Sequence, residues 1–259
     1  MVNTMTSNQI FERIEKKFLI TEDQFLELQK KMSPYVKADK YGEHTICNLY
    51  FDTDDYELIY SSIEKPVYKE KLRLRSYGIP DQNSKVFLEL KKKYNGIVYK
   101  RRVEMTLSEA INYLNNGIRP NCNEQILNEI DYFKKFYQPV PKVFIAYDRL
   151  AFAGTTDPDF RVTFDKNIRS RFQDLCLNHE ANGEPLLDNN DYLMEIKIPG
   201  ALPLWLARIL SELEIYPVSF SKYGRIYQKR METFLKEEMT QMQPVIFANM
   251  LVKGRSKVC

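Results

Sequence analysis

The sequence predicts an α+β fold in which about eight antiparallel strands close into a β-barrel tunnel and helices pack on its outside. Three observations lead to this prediction. Many segments alternate between apolar and charged residues with a period of two, as strands with two different faces do. About eight strands of this kind are enough to close a barrel. Helical segments lie between the strands and can cover the apolar face of the sheet.

The predicted strands share one pattern, an apolar face opposite a face rich in lysine and arginine. In one of them Lys71, Arg73 and Arg75 share a face, and Leu72 and Leu74 lie on the other. The strands are predicted from Phe11, at Thr45–Asp52, from Val67, at Lys85–Lys93, Ile97–Met105, Val143–Phe152, Phe160–Ile168 and Tyr192–Ile198.

Turn and capping residues mark the ends of the elements. Asn95-Gly96 is a strong hairpin signal between two strands. Thr21 begins a capping box, Thr-Glu-Asp-Gln, before a helix that runs to about Met32. Further helices are predicted at Asp54–Ser62, from Thr106 or Ser108 to about Asn116-Gly117, at Asn123–Tyr137, Leu202–Leu213 and Lys222–Glu238.

Composition narrows the function classes. The 259 residues carry a net charge of only +3, which argues against a protein that coats nucleic acid. Two histidines, and four cysteines without a CxxC pair, argue against histidine-based catalysis and against a zinc or redox motif.

The start lacks an apolar signal-peptide core, and no apolar run approaches the ~18 residues of a membrane span, so we expect a cytoplasmic protein. No linker rich in Gly or Ser divides the chain, and we expect one domain over residues 1–238 with a C-terminal tail over 239–259.

The charged strand faces are biased towards positive charge. Their basic residues are Arg13, Lys17, Lys71, Arg73, Arg75, Lys91, Lys100, Arg102, Arg149, Arg161 and Lys197, and their acids are Glu15, Glu89, Glu104, Asp165 and Glu195. An ordinary antiparallel sheet with its charged side in water is one interpretation. If helices cover the outside of a closed sheet, the cations point inward, where they are tolerated only in a water-filled tunnel that holds a polyanion. The few carboxylates then suit a divalent metal.

Eight segments follow one another in the order of the motifs of one family. They are Arg13-Ile-Glu-Lys-Lys17-Phe, Lys71-Leu-Arg-Leu-Arg75, Phe87-Leu-Glu-Leu-Lys91, Lys100-Arg-Arg102, Tyr147-Asp-Arg149-Leu-Ala-Phe152, Arg161-Val-Thr-Phe-Asp165, Met194-Glu-Ile-Lys197 and Phe220-Ser-Lys222-Tyr. Together they resemble the polyphosphate polymerase domain of the vacuolar transporter chaperone (VTC) family, within the triphosphate tunnel metalloenzymes of the CYTH-like superfamily. The resemblance runs from about Phe11 to Arg230.

The resemblance implies the triphosphate tunnel fold and an ATP:polyphosphate phosphotransferase that uses a divalent metal, Mn²⁺ or Mg²⁺. Such an enzyme transfers the γ-phosphate of ATP onto a growing inorganic polyphosphate. The implied phosphate-binding residues are Lys17, Arg73, Arg75, Lys91, Lys100, Arg102, Arg149, Arg161, Lys197 and Lys222. The implied catalytic residues are Arg73, Arg75, Lys222 and Glu195, and Glu195 is also the implied metal ligand.

The resemblance also bears on partners and location. It makes ATP and polyphosphate the expected ligands, and nucleic acid is not expected. At the level of the family it leads us to expect association with a membrane protein, and therefore a peripheral position at a membrane, although the chain shows no transmembrane segment of its own.

Two positions depart from the family pattern. Triphosphatase and adenylate cyclase relatives carry Glu-x-Glu-x-Lys on the first strand, whereas this chain has Arg13-x-Glu15-x-Lys17. The lost carboxylate weakens a two-metal hydrolytic site and favours a polymerase. Ser219 lies near a position where another lysine is expected. A triphosphatase of the same superfamily and a non-catalytic polyphosphate-binding module are the alternatives that the sequence leaves open.

Overall fold

A ten-stranded antiparallel sheet is the centre of the computed structural model, which describes residues 14–95, 97–157, 159–188 and 190–253. The strands are β1 (Ile14–Thr21), β2 (Val36–Ala38), β3 (His44–Asp52), β4 (Tyr68–Tyr77), β5 (Lys85–Tyr94), β6 (Ile97–Thr106), β7 (Val140–Gly154), β8 (Arg161–Arg171), β9 (Glu184–Pro185) and β10 (Asp191–Ile198). The helices are α1 (Glu22–Met32), α2 (Glu57–Ile63), α3 (Leu107–Asn116), α4 (Glu124–Tyr137), α5 (Leu204–Glu212) and α6 (Lys222–Lys253). Arg13 of the first motif and Gly96 of the predicted hairpin turn lie outside the described residues.

The sheet is not closed into a barrel, which corrects the prediction. Its strands follow the order β1-β10-β8-β7-β3-β4-β5-β6, with β2 added on β7 and β9 on β8. Within the described part of the chain β1 and β6 do not pair, so they are the two edges. The sheet is nevertheless curled, since Glu15 on β1 and Lys91 on β5 lie close enough to interact electrostatically across its inner face, although β10, β8, β7, β3 and β4 lie between these two strands in the sheet order. Alternation predicts which face a residue occupies, but closure needs hydrogen bonds between the first and last strands.

Four helices cover the outer, apolar face of the sheet, as predicted. Helices α3 and α4 pack on β3 to β6, where Tyr113 and Phe133 lie against Leu72 and Leu88. Helices α1 and α5 pack on β1, β8 and β10 around residues such as Phe18. All these side chains are almost completely buried. The outer face of the sheet is therefore dry, and the charged residues that alternate with these side chains must point to the inner face.

The other two helices pack on the inner face of the sheet, which corrects the prediction that all helices lie outside. Tyr223 and Ile226 of α6 and Ile59 of α2 pack against Ile145 on β7 and other apolar residues of the inner face. The Tyr223 hydroxyl also donates a hydrogen bond to the buried carboxylate of Asp52, at 2.8 Å. This apolar cluster fills one part of the inner face and places the first residue of α6 among the charged side chains.

Most element ends agree with the sequence patterns. The capping box at Thr21 is present, and Thr106, not Ser108, caps α3 through a second capping box. Helix α2 begins later than predicted, and α6 continues past Glu238, where the sequence analysis ended it, to Lys253. The short strands β2 and β9 were not predicted, because two or three residues carry too little periodic signal. None of the described helices is both long enough and apolar enough for a membrane crossing.

Candidate active site

A cavity of about 2720 Å³ occupies the inner side of the curled sheet. Seventeen lysines and arginines line it, against four acidic side chains, among the residues that the structure describes. Most of the positive charge of the wall is therefore not neutralised by protein carboxylates. A concave surface of one sign concentrates ligands of the opposite sign, so this cavity is suited to a polyanion.

All eleven residues that the sequence analysis assigned to phosphate or metal binding line this one cavity. They are Lys17 on β1, Arg73 and Arg75 on β4, Lys91 on β5, Lys100 and Arg102 on β6, Arg149 on β7, Arg161 on β8, Glu195 and Lys197 on β10, and Lys222 at the start of α6. The strand residues converge because their side chains alternate with apolar ones and so share the inner face. Residues that are distant in the chain thus form one basic wall.

Glu89 on β5 is the centre of one group of cations. Its side chain is 1% exposed, and Arg73 Nε donates a hydrogen bond to its Oε2 at 2.7 Å. Its Oε1 lies 2.6 Å from Lys100 Nζ and 3.6 Å from Arg102 Nε. Burial by itself would raise the pKa of Glu89, but Arg73, Arg75 and Lys100 together hold it well below its usual range. Glu89 is therefore ionised, and its single negative charge orders several cations without neutralising them.

Asp165 on β8 is the centre of a second group. It is fully buried, and Arg149 donates to both of its oxygens, from Nε at 2.6 Å and from Nη2 at 2.8 Å. Lys222 Nζ donates a further bond to Asp165 Oδ2, at 2.5 Å. Bidentate arginine pairs of this kind fix the geometry of both partners. Asp165 therefore positions Arg149 and Lys222, and both of its oxygens are occupied by short hydrogen bonds.

Glu195 on β10 is held differently. Its Oε1 lies 3.5 Å from the ammonium groups of Lys17 and Lys222, and its Oε2 lies 3.8 Å from Lys197 Nζ and 3.9 Å from Arg149 Nη2. Burial would raise the pKa of Glu195, but Lys222, Lys17 and Lys197 hold it well below its usual range. Glu195 is therefore an ionised carboxylate on the cavity wall, and none of these cation contacts is short.

The two arginines of β4 are also oriented by neutral groups. Arg73 Nη1 donates to the Tyr50 hydroxyl at 2.9 Å. Arg75 donates from Nε to Asn48 Oδ1 at 2.9 Å and from Nη2 to the Tyr147 hydroxyl at 3.2 Å. Since these acceptors carry no charge, they fix the guanidinium groups while leaving their positive charge available to a ligand.

Two lysines of the wall have a strongly lowered pKa. Burial, helped by the ammonium groups of Lys69 and Lys91, lowers the pKa of Lys71 to about 8. Burial also lowers the pKa of Lys100 to about 8, in spite of its ion pair with Glu89. Both lysines therefore lose their protons more easily than a fully solvated lysine does, and a bound anion would favour the protonated form.

The sequence analysis missed the residues that organise the site. Glu89 and Asp165 were noted as acids on charged faces, but alternation does not say which cations an acid contacts. The signal that could have found them is an isolated acid in the middle of a basic face. Asn48 and Tyr50 have no such signal, because they lie on a largely apolar strand. Ser219 lines the cavity, where a lysine was expected.

Comparison with known proteins gives one family match. The sequence model of the VTC domain matches residues 12–230. No curated protein matches the chain significantly.

Solved structures give matches at low identity. A "putative adenylate cyclase" from Bacillus halodurans is 18% identical, with a TM-score of 0.52 over 81% of this chain and 93% of that chain. A "putative adenylate cyclase" from Vibrio parahaemolyticus is 13% identical, with a TM-score of 0.45 over 83% of this chain and 97% of that chain. The likeness to the Bacillus halodurans protein concerns the fold alone.

Proposed function

Because this chain belongs to the VTC domain family, we propose that it is a metal-dependent polyphosphate polymerase, which transfers the γ-phosphate of ATP onto a growing inorganic polyphosphate. One observation supports the proposal above the others. Cations from seven strands and one helix line a single cavity, and carboxylates neutralise only a minority of them. A wall of this kind can hold several consecutive phosphates, which both ATP and polyphosphate supply.

The proposed reaction needs no protein nucleophile. A terminal oxygen of polyphosphate forms a bond to the γ-phosphorus of ATP, the bond from that phosphorus to the β–γ bridging oxygen breaks, and ADP leaves. The attacking oxygen is already anionic, so no strong base is required. Catalysis then depends on positioning and on neutralising the charge of the transferred group. We assign this task to Arg73, Arg75 and Lys222, which neighbouring groups hold in fixed orientations.

The remaining cations bind phosphates that do not react. We assign this role to Lys17, Lys91, Lys100, Arg102, Arg149, Arg161 and Lys197, all of which line the cavity. Arginines suit bidentate contacts to phosphate oxygens, and lysines act as point charges. The two kinds of contact together can hold a polymer in register and still let it move by one phosphate after each transfer.

A divalent metal fits at Glu195 better than at Asp165. Both oxygens of Asp165 are occupied by short hydrogen bonds, whereas the cation contacts of Glu195 are 3.5 Å or longer. Within the described ranges no three potential protein ligands come together in the cavity; the one such group, Asp174, Cys176 and His179, lies elsewhere. Mg²⁺ is commonly bound through one or two carboxylates together with substrate phosphates. When bound, such a metal would neutralise charge on the nucleotide phosphates.

The first experiment is a polymerisation assay. Purified protein with ATP and Mn²⁺ or Mg²⁺ should produce long polyphosphate and an equivalent amount of ADP. Release of inorganic phosphate without polymer would instead indicate a triphosphatase. Binding of polyphosphate with steep salt dependence and no nucleotide turnover would indicate a binding module. Either result would overturn the proposal.

The membrane-protein partner implied by the resemblance remains a prediction, and co-purification from membranes would test it.

A further inference from the structure

One end of the cavity contains lysines that face each other. The register of β4 and β5 places Lys69 opposite Lys93 and Lys71 opposite Lys91, all with inward side chains. We call these four residues, together with the cavity-lining Lys65, the lysine end. Like charges directly opposite one another on adjacent strands destabilise a sheet. Two successive pairs of this kind are therefore unfavourable unless something neutralises them.

The protein itself supplies little neutralisation there. Among the described residues, the ion pairs within 4.0 Å that involve carboxylates of the cavity wall are made by other cations, such as Lys17, Arg73 and Lys100. The charges that act on Lys69 come from Lys93, Lys91 and Lys65, and all are positive. Lys69 Nζ donates only to a carbonyl, that of Ser62 at 3.2 Å. Lys91 is affected by the acids Glu15 and Glu195, from a longer distance.

The part of the wall that contains the acids is arranged differently. Around Glu89, Asp165 and Glu195 each cation has a carboxylate neighbour that sets its orientation. The two regions are continuous along β4, where a rise of about 3.3 Å per residue puts Lys69 roughly 13 Å from Arg73. The cavity thus has an ordered region, around Glu89, Asp165 and Glu195, in which carboxylates orient the cations. Beyond it lies the lysine end, where positive charges have almost no carboxylate neighbours.

We propose that the lysine end is a track for the polyphosphate chain, which binds phosphates at a distance from those that react. The inference deepens the proposed function and rests on it. The ordered region contains Arg73, Arg75 and Lys222, which are assigned above to the transferred phosphate, so the lysine end is left to phosphates further along a longer anion. Lysine suits a sliding polymer because its single flexible ammonium group does not demand one fixed orientation of a phosphate. The product would then leave the reaction site along β4 and β5 towards Lys65, Lys69 and Lys93.

The test compares binding of inorganic polyphosphates of different lengths. Lys69→Gln/Lys93→Gln should weaken binding more as the chain becomes longer, with only a small loss for tripolyphosphate and about tenfold or more for chains of many phosphates. The salt dependence for long chains should also become less steep, since two cation contacts are removed. The matched control is Lys135→Gln/Lys236→Gln, which removes the same charge from exposed helix positions outside the cavity and should change neither quantity. Calorimetric titration at several salt concentrations measures both.

The results separate this inference from the proposed function. If the double variant binds long chains as the unmodified protein does, or loses the same factor for tripolyphosphate, the lysine end is not a track. If the unmodified protein makes no polymer from ATP, the polymerase proposal fails whatever the binding data show. In an active enzyme, shorter products from the Lys69→Gln/Lys93→Gln variant support the track, and products of unchanged length contradict it. The variant should fold, because it removes a repulsion between like charges.

Discussion

At the scale of single residues, the site depends on charges whose state is set by their neighbours. Lys71 and Lys100 have a pKa lowered to about 8, chiefly by burial, while burial fails to neutralise Glu89 and Glu195 because cations surround them. Loss of contact with water therefore lowers the pKa of these lysines, whereas the two carboxylates stay ionised because cations surround them. These opposite outcomes lead to two predictions.

The first prediction concerns pH. Lys71 and Lys100 are largely protonated at pH 7 and lose their protons as the pH rises above about 8. A bound polyanion favours the protonated lysines, so binding should take up protons between pH 8 and 10, and tripolyphosphate affinity should fall over that range. The pKa of each lysine is lower in the folded protein than in the unfolded chain, so between pH 8 and 10 the unfolded chain binds more protons. The contribution of these lysines to the free energy of unfolding therefore increases as the pH rises over that range.

Calorimetry in two buffers with different ionisation enthalpies measures the proton uptake. Lys71→Arg/Lys100→Arg is the matched control, since arginine remains charged throughout this range. The control should lose most of the pH dependence while still binding the anion. An affinity that falls equally in both proteins would place the titrating group elsewhere.

The second prediction compares two carboxylates of the same wall. Asp165→Asn leaves Arg149 and Lys222 without their buried counter-charge and should lower the free energy of unfolding by about 3 kcal/mol or more. Glu195→Gln removes only longer contacts, so it should cost clearly less stability but reduce turnover about a hundredfold. Urea denaturation and the polymerisation assay give the two quantities. Equal losses of stability would show that Glu195 is a structural counter-ion, not a metal ligand.

At the scale of elements, helix caps and helix docking position the strands that carry the charges. Helices α3 and α4 fix the outer face of β4 and β5 through buried packing, and α6 holds the inner face through Tyr223 and its hydrogen bond to Asp52. Burial raises the pKa of Asp52 even though it accepts several hydrogen bonds. The start of α6 is thereby anchored, and with it Lys222.

The third prediction tests a cap. Thr106 accepts a hydrogen bond from the Glu109 backbone N–H, and the Glu109 side chain accepts one from the Thr106 backbone N–H. Thr106→Ala should therefore lower the free energy of unfolding by about 1 kcal/mol. Ser108→Ala, the other cap candidate from the sequence, should have a smaller effect because Ser108 lies inside the helix. Chemical denaturation of the two variants measures both losses. A larger loss for Ser108→Ala than for Thr106→Ala would contradict the observed cap.

At the scale of the whole molecule, the fold encloses more positive charge than it neutralises. Repulsion among the seventeen cations of the wall costs stability in the free protein, and a bound polyanion removes that cost. Ligand binding and folding stability should therefore be strongly linked. The net charge of +3 does not reveal this excess of positive charge in the cavity, because most of the acidic residues lie outside it.

The fourth prediction follows from this linkage. Tripolyphosphate at about 100 times its Kd should stabilise the fold by about 2.7 kcal/mol and raise the Tm by roughly 5–10 °C. Sodium chloride at the same ionic strength serves as the control and should give a smaller rise, since it screens charges without spanning several cations. Thermal unfolding followed by circular dichroism measures the shift. If the salt reproduces the full effect, the cavity does not bind the polyanion specifically.

Local patterns in the sequence were sufficient to predict many of the strands, strand faces and helix ends of this protein. Alternation predicted the eight long strands and the inward face of Lys71, Arg73 and Arg75, and capping signals predicted the start of α1. These features depend on neighbours a few residues apart, and side-chain direction along a strand follows directly from the backbone period. The order of the motifs was also sufficient to identify the family, and the match of the family model to residues 12–230 confirms that identification.

Other features were decided only by the tertiary structure. Whether β1 meets β6, whether α2 and α6 pack inside or outside, and which cations surround Glu89 and Asp165 all depend on residues far apart in the chain. The lysines that lie opposite one another on β4 and β5 likewise emerge only from the strand register. The physical reason is that hydrogen bonding between strands and the charge environment of a buried group are set by three-dimensional neighbours, about which periodicity along the chain carries no information.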